Sequence, residues 1–199
     1  MWHLWWLRIR VETYTGAAVT PLLPHLARLR VEVFREFPYL YDGDVAYEQR
    51  YLHIYAETPG AAIIVARDGD KVVGASTCLP MAAETGSVQK PFLDAGIDIS
   101  SIFYFGESVL EAAYRGRGIG VAFFQAREAQ AAGYAMTAFC AVQRPENHPL
   151  RPKDYKDLHE FWRHRGYRPR PELVCSMSWR DVGETQSSAK TLQFWTKDL

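Results

Sequence analysis

The chain has 199 residues, 48% hydrophobic and 14% aromatic, which is enough to bury a full core as one domain. Its 23 basic and 23 acidic side chains give a formal net charge of zero, which argues against a nucleic-acid partner and against electrostatic binding to a membrane. The three cysteines, Cys78, Cys140 and Cys175, are widely spaced and favour neither a disulfide framework nor a zinc site. They suit a reducing compartment, so we expect a cytoplasmic protein.

Hydrophobic periodicity predicts a mixed succession of strands and helices. The first half reads strand, helix, helix, strand, strand, with bounds near 7–12, 21–37, 44–57, 61–66 and 71–79. A long connection, residues 80–100, follows. The second half reads strand, helix, strand, helix, strand, with bounds near 102–110, 118–133, 134–142, 155–165 and 173–179.

The same reading sets the expected domain limits. Residues 1–6 are apolar but too short to span a bilayer, so we interpret them as an N-terminal extension and expect no membrane partner. Residues 180–199 are polar and poor in pattern, which predicts an arm or tail. The predicted domain therefore covers residues 7–179, without repeats or linkers.

The most informative segment is Arg115-Gly116-Arg117-Gly118-Ile119-Gly120, which joins a predicted strand to a predicted helix. Glycines let the backbone turn sharply and approach a ligand closely. A helix that starts there directs unpaired N–H groups and the positive end of its dipole at one point, which suits a phosphate. Arg115 and Arg117 add positive charge. The alternative is a glycine-rich turn that only reverses the chain.

Spacing excludes two familiar phosphate-binding motifs. A Walker loop requires Lys and then Ser or Thr after its last glycine, where this chain has Val121 and Ala122. The dinucleotide fingerprint requires one more residue before its third glycine. The pattern that fits is R-x-x-G-x-G, filled by Arg115, Gly118 and Gly120. It resembles the pyrophosphate-binding motif of the GCN5-related N-acetyltransferases, which use acetyl-coenzyme A.

The resemblance extends from Leu7 to Trp179 and implies a fold class. We expect a single-domain α/β (mixed α+β) acyl-CoA N-acyltransferase fold, with a mostly antiparallel central sheet that splays at the cofactor strand and is flanked by helices. The resemblance also implies that acetyl-CoA pairs its pantetheine arm with the backbone of Ser108, Val109 and Leu110. The pyrophosphate would then lie on the loop formed by Arg115, Gly116, Arg117, Gly118, Ile119, Gly120 and Val121.

Transfer of an acetyl group requires a base to deprotonate the acceptor amine. Glu107 is the only carboxylate in the predicted strand 102–110, and a lone acid among apolar residues costs free energy unless it is paired or functional. Family members often place a glutamate base on or beside this strand. We therefore interpret Glu107 as the candidate base; the alternative is a salt-bridged or solvent-facing strand residue.

The chain departs from the family at the expected general acid. Family members have a tyrosine on the last helix, where this chain has Trp162, whose N–H is not acidic. Tyr155 or Tyr104 is a candidate replacement donor, although each is also an ordinary packing residue. The thiolate can also leave without a protein acid. Trp162 and Tyr155 are further candidates for contact with the cofactor arm.

The expected partner is a small-molecule amine, while the oligomeric state stays open and includes a homodimer. Acceptor-binding walls are predicted at 37–41, 80–100 and 144–153, all of which also read as ordinary loops. No His, Asp, Glu or Cys cluster has ligand spacing, so we expect no metal. Two alternatives remain: a non-catalytic acyl-CoA sensor or structural protein of the same fold, and a phosphate-binding module of another kind.

Overall fold

The computed structural model describes residues 9–199, which contain seven strands, six α-helices and four short 3-10 helices. The strands are β1 (Ile9–Thr15), β2 (Ala62–Asp68), β3 (Lys71–Pro80), β4 (Ile102–Leu110), β5 (Met136–Val142), β6 (Arg168–Trp179) and β7 (Ser188–Asp198). The helices are α1 (Leu23–Phe34), α2 (Val45–Tyr51), α3 (Ile54–Glu57), α4 (Gly86–Asp94), α5 (Ile119–Gln130) and α6 (His159–His164). The predicted N-terminal extension, residues 1–6, and the predicted start of the first strand at Leu7 lie outside this range.

The strands form a mixed sheet in the order β1-β2-β3-β4-β5-β7-β6. β1, β2 and β3 pair antiparallel, as do β5, β7 and β6, whereas β4 and β5 pair parallel. The prediction of a mixed α/β fold around a mostly antiparallel sheet is confirmed.

The chain divides into two compact units. The first contains the described residues up to Val33 together with 44–79 and 105–132. Its core is built from fully buried aliphatic and aromatic side chains, among them Leu26, Leu29, Ile63, Ile64 and Phe123. α5 packs on β1 and β2 within this unit.

The second unit contains 34–43, 80–104 and 133–199. Phe92 of α4 meets Phe194 of β7 edge-on, with their ring centroids 4.8 Å apart. Tyr167 is also buried there, and its hydroxyl lies 2.9 Å from the hydroxyl of Thr137. These two buried hydroxyls therefore serve as hydrogen-bond partners for each other.

Strand β4 contributes residues to both units, and its pairing changes along its length. Only Ile102, Phe103 and Tyr104 pair with β5. The strand then continues to Leu110 while β3 remains its hydrogen-bonded neighbour. Within the described residues, β4 therefore has an edge without a β5 partner after Tyr104. Such an edge can accept another extended chain.

The prediction of an arm or tail after residue 179 is wrong for 188–198, which form β7 between β5 and β6. One face of β7 carries Lys190, Leu192, Phe194 and Thr196, all of them buried. Polar residues occupy both ends of that face, so the period-two pattern is hidden in the sequence. Lys190 tolerates burial because its ammonium donates to the carbonyl of Trp179 at 2.9 Å.

Three predicted bounds also need correction. The helix predicted over 44–57 is two helices, α2 and α3, the first capped by Asp44, whose carboxylate accepts from the Tyr47 N–H. The connection 80–100 contains α4. The last helix begins at His159 and not near Tyr155. Leu158 is its N-cap, and the Asp157 carboxylate accepts the His159 N–H at 2.9 Å, which holds residues 157–159 in a turn before the helix.

Candidate functional site

The glycine loop has the backbone geometry that its sequence predicts. Gly116 and Gly118 have φ angles of 73° and 79°, a left-handed conformation that glycine adopts without a Cβ penalty. Gly118 is the N-cap of α5. A Cβ at either glycine would meet nothing within 4 Å, so the space beside both is open to a ligand.

Two side chains anchor the segment that leads into the loop. The Glu111 N–H donates to the Val73 carbonyl at 3.0 Å, and the Glu111 carboxylate binds Lys71 and Arg28. The Tyr114 hydroxyl donates to Asp68 at 2.9 Å. The chain is thus fixed to β2 and β3 before it enters the loop, which reduces the entropy cost of ordering it around a ligand.

Positive charge surrounds the start of α5. The Arg117 guanidinium lies over the Tyr114 ring, 5.2 Å from its centroid. Arg115 donates from Nε to the Leu110 carbonyl at 3.2 Å. Both arginines are solvent-exposed and lie within three residues of Gly118, where the helix dipole is also positive. The combination suits a ligand that carries phosphate groups.

Before the loop, β4 carries the residues predicted to pair with the pantetheine arm. Val109 is fully buried, whereas Ser108 is exposed and its hydroxyl lies 2.7 Å from that of Ser76. The Leu110 carbonyl already accepts from Arg115. The alternation of buried and exposed side chains directs Ser108 and Val109 to opposite faces and leaves their backbone groups at the strand edges.

Glu107 lies in a buried cluster of charged side chains. Its Oε2 is 2.8 Å from Nη1 of Arg30, and Nε of the same arginine binds Oε2 of Glu48. Glu48 and Glu107 are 1% and 8% exposed. Burial alone would lower the pKa of Arg30, but the two carboxylates, Glu107 first, raise it above its ordinary value. Arg30 is therefore a permanent cation that joins α1, α2 and β4.

The second carboxylate oxygen of Glu107 has a different environment. Oε1 is buried, and no group in the described residues 9–199 donates a hydrogen bond to it. Leaving a buried oxygen unpaired costs about 1–3 kcal/mol, more if it is charged, so the position calls for a donor from a ligand or from water. The salt-bridged alternative for Glu107 is present in the structure, and it occupies only one of the two oxygens.

A chain of hydroxyl groups supports the backbone at Glu107. The Tyr55 hydroxyl lies 3.0 Å from Oγ1 of Thr77, which accepts the Glu107 N–H at 3.1 Å. A Cβ at Gly106 would lie 2.5 Å from both hydroxyl oxygens. A glycine is therefore required before Glu107, because any side chain would displace these groups.

The candidate proton donors lie in the second unit, where each has different neighbours. The Tyr104 hydroxyl is buried and lies 3.2 Å from the thiol of Cys140. Tyr155 is half-exposed and packs edge-on against Phe37, with centroids 4.7 Å apart. Burial, and then the charge of Asp157, raise the pKa of Tyr155, so its phenol stays protonated to higher pH.

Trp162 belongs to an aromatic cluster. Its ring lies 5.0 Å from those of Phe139 and Trp195, both of which are buried. The His159 ring lies 5.5 Å away. These contacts are hydrophobic packing with edge-to-face geometry, which gives the indole a structural role whatever else it touches.

The predicted acceptor wall at 37–41 is tied down by Arg144. The Arg144 guanidinium donates to the carbonyls of Pro38 and Tyr39, each at 2.7 Å, and forms a two-point contact with Asp181. Burial would raise the pKa of Asp181, but the Arg144 hydrogen bonds lower it. Residues 37–41 are thus held by charge-assisted hydrogen bonds, which favours a preformed surface.

No group of three or more His, Cys, Asp and Glu side chains in residues 9–199 is arranged to hold a metal ion. None of the helices in that range is long and apolar enough to cross a membrane.

Sequence reasoning missed Arg30, Glu48, Tyr55 and Thr77. For Glu48 and Arg30 the sequence carried a signal, which is helical spacing from buried apolar residues. Glu48 precedes the buried Leu52 by four residues and the buried Tyr55 by seven. Arg30 likewise follows the buried Leu26 by four residues. A charged residue on an apolar helix face predicts a buried ion pair, but its partner on another element cannot be read from the sequence.

Neither a protein-family model nor a curated protein matches the sequence. Solved structures, however, share the fold. A ribosomal-protein-alanine N-acetyltransferase from Brucella melitensis is 14% identical with a TM-score of 0.61, covering 96% of this chain and 99% of its own. A GCN5-related N-acetyltransferase from Kribbella flavida is 19% identical with a TM-score of 0.58, covering 97% and 99%.

A third similar structure is a GNAT superfamily phosphinothricin acetyltransferase from Sinorhizobium meliloti, in complex with AcCoA. It is 12% identical with a TM-score of 0.60, covering 96% of this chain and 89% of its own. At these identities the similarity establishes the fold. The acetyltransferase fold predicted from the glycine loop is therefore confirmed.

Proposed function

We propose that this protein, which has the fold of the GCN5-related N-acetyltransferases, is an N-acetyltransferase. It transfers an acetyl group from acetyl-CoA to a primary amine. The observation that carries the proposal is the join between β4 and α5. There, within the described residues 9–199, a strand edge without a β5 partner leads into two left-handed glycines, the second of which, Gly118, caps a helix. These features suit an extended pantetheine arm followed by a pyrophosphate.

Different residues bind different portions of acetyl-CoA. The backbone of Ser108, Val109 and Leu110 pairs with the pantetheine arm. The loop from Arg115 through Val121 holds the pyrophosphate, for which the open space beside Gly116 and Gly118 supports a close approach. Acetyl-CoA supplies an activated acetyl group as co-substrate.

An amine is the acceptor that suits the Glu107 cluster. With both carboxylates ionised, one arginine and two glutamates carry a net charge of −1. A net negative, largely buried site attracts an ammonium group, and Oε1 of Glu107 is available to accept its proton. The aromatic side chains of residues 37–41 favour a small organic amine as the acceptor. We further propose that the enzyme is cytoplasmic.

The chemistry balances with these groups. The neutral amine nitrogen attacks the thioester carbonyl carbon in a ternary complex, a C–N bond forms and the C–S bond breaks. The bound ammonium first gives one proton through Glu107 to solvent, and the nitrogen gives a second proton to Glu107 once the C–N bond has formed. The departing thiolate takes a proton from Tyr155, from Tyr104 or from solvent, and a tyrosine that has donated is reprotonated from solvent. A neutral phenol, such as the one that burial favours at Tyr155, suits the donor role.

Position 162 has a tryptophan where the family has a tyrosine, and this favours a second candidate function. In that case the protein binds acyl-CoA without catalysis and has the same fold. Trp has a non-acidic N–H, so it cannot replace a tyrosine as a proton donor. The two functions differ in one measurable respect. An enzyme releases free coenzyme A in the presence of a suitable primary amine, whereas a sensor binds acetyl-CoA without turnover.

The first prediction concerns Gly118→Asp. Its Cβ meets no protein atom, so the fold should survive with a small backbone penalty, whereas the new carboxylate repels the pyrophosphate. Because a hydrogen bond to a charged group is worth about 1.5–3 kcal/mol, we expect about a tenfold or larger loss of acetyl-CoA affinity by calorimetry. Gly96→Asp, at another open left-handed glycine, is the matched control. Equal affinity in both variants and the wild type would refute the assignment.

The second prediction concerns Glu107→Gln, which keeps the shape of the side chain and removes its basicity. We expect kcat to fall by about 10²–10⁴-fold with the best acceptor of a primary-amine panel, since that is the usual contribution of a general base. Acetyl-CoA affinity should change little, because the carboxylate is not part of the proposed cofactor contacts. Full turnover across the pH range would exclude the base role.

The third prediction concerns Trp162. Trp162→Phe should retain most turnover, because an aromatic ring still packs on Phe139 and Trp195. Trp162→Ala should weaken acetyl-CoA binding and lower the free energy of unfolding by about 2–4 kcal/mol, since it opens an aromatic cluster. Steady-state kinetics and chemical denaturation measure these effects. Loss of turnover in Trp162→Phe with unchanged binding would instead assign a catalytic role to the indole N–H.

A further inference from the structure

We propose that Arg30 and Glu48 are positioning residues for Glu107, holding its carboxylate by one oxygen so that the other receives the acceptor amine. The inference rests on the proposed function, because it assigns a purpose to the geometry around the proposed base. Both residues lie outside the acetyltransferase motif and belong to α1 and α2, whereas Glu107 belongs to β4.

The contact pattern of Arg30 defines the arrangement. Nη1 lies 2.8 Å from Oε2 of Glu107, while Nε binds Glu48 from the other side. The Arg30 and Glu107 side chains are 13% and 6% exposed, so the pair is largely shielded from solvent. A guanidinium held at two positions has little rotational freedom, and it therefore fixes the orientation of the Glu107 carboxylate.

The fixed orientation leaves one oxygen for the substrate. Oε2 is committed to Arg30, whereas Oε1 is buried and has no hydrogen-bond partner within the part of the chain that the structure describes. A carboxylate group that rotated freely would present either oxygen to the amine, and neither oxygen would keep a fixed direction towards the proton. General-base catalysis needs the accepting atom within hydrogen-bond distance of the proton it removes, so a locked carboxylate is the more effective base.

Glu48 offsets part of the positive charge that Arg30 exerts on Glu107. If Arg30 faced Glu107 alone, its full positive charge would stabilise the ionised carboxylate and weaken it as a base. Sharing Arg30 between two carboxylates reduces that effect. The other polar groups at the cluster are the Tyr51 ring beneath the guanidinium, 5.1 Å from Arg30 Cζ, and the hydroxyls of Tyr55, Ser76 and Thr77 on α3 and β3. Among these named groups, the acidic and basic side chains are the two glutamates and Arg30, and the rest are phenols and alcohols.

The two residues have opposite electrostatic effects on Glu107. Removing the negative charge of Glu48 favours the ionised form of Glu107, so the acidic limb of the kcat profile should move to lower pH. Removing the positive charge of Arg30 leaves two neighbouring carboxylates and disfavours that form, so the acidic limb should move to higher pH. A purely structural role predicts loss of activity without limb shifts of opposite sign.

The test is the pH dependence of kcat for Glu48→Gln and Arg30→Gln, measured with the best amine of the panel and saturating acetyl-CoA. We expect the acidic midpoint to fall in the first variant and to rise in the second, each by about one pH unit. Arg30→Lys keeps the charge and should bring the midpoint back towards the wild-type value. Glu32→Gln and Arg50→Gln, at exposed positions on α1 and α2, are the matched controls and should leave the profile unchanged.

The outcomes are distinguishable. Midpoints that do not move, or that move in the same direction, overturn the positioning role while leaving the base role of Glu107 intact if Glu107→Gln is inactive. Full activity of Glu107→Gln overturns both. If Arg30→Gln does not fold, as circular dichroism would reveal, the Glu48→Gln midpoint decides alone, and an unchanged or higher value contradicts the inference.

Discussion

The backbone pairing of β4 changes at Tyr104, and the candidate site depends on that change. Before it, the strand pairs with β5; after it, β3 is the neighbour that holds the strand in place. An unsatisfied strand edge is costly and open to unwanted pairing unless something occupies it. In this protein the edge precedes a loop with two left-handed glycines, Gly116 and Gly118, of which Gly118 caps α5. A ligand with an extended arm and a phosphate end would satisfy both features together.

The same strand brings a charge into a buried environment. Glu107 is tolerated there because Arg30 neutralises it, and Arg30 in turn is shared with Glu48. A buried ion pair adds little net stability, since desolvation offsets most of the attraction. Retaining three charges at this position therefore favours a functional explanation. The unpartnered Oε1 points in the same direction, because stability alone would pair it.

The sequence predicted the features that depend on local chemistry. The loop at Gly116 and Gly118 was predictable because left-handed backbone conformations favour glycine. The first strand was predictable from its alternation, and the other predicted strands were predictable from short apolar runs. β7 was not, because Lys190 and Thr196 stand on its buried face and their burial depends on partners such as the Trp179 carbonyl. The Glu107 cluster was not predictable either, since Arg30, Glu48 and Glu107 are distant in sequence and meet only through tertiary packing.

Amide hydrogen exchange with and without acetyl-CoA tests the central claim most directly, because it reports on every backbone segment at once. The account predicts that acetyl-CoA slows exchange in residues 105–121, which include the part of β4 after Tyr104 and the glycine loop. Coenzyme A should protect the same residues, since it keeps the pantetheine arm and the pyrophosphate. Saturating acetyl-CoA that leaves 105–121 unprotected, or protects only other segments, would contradict the account.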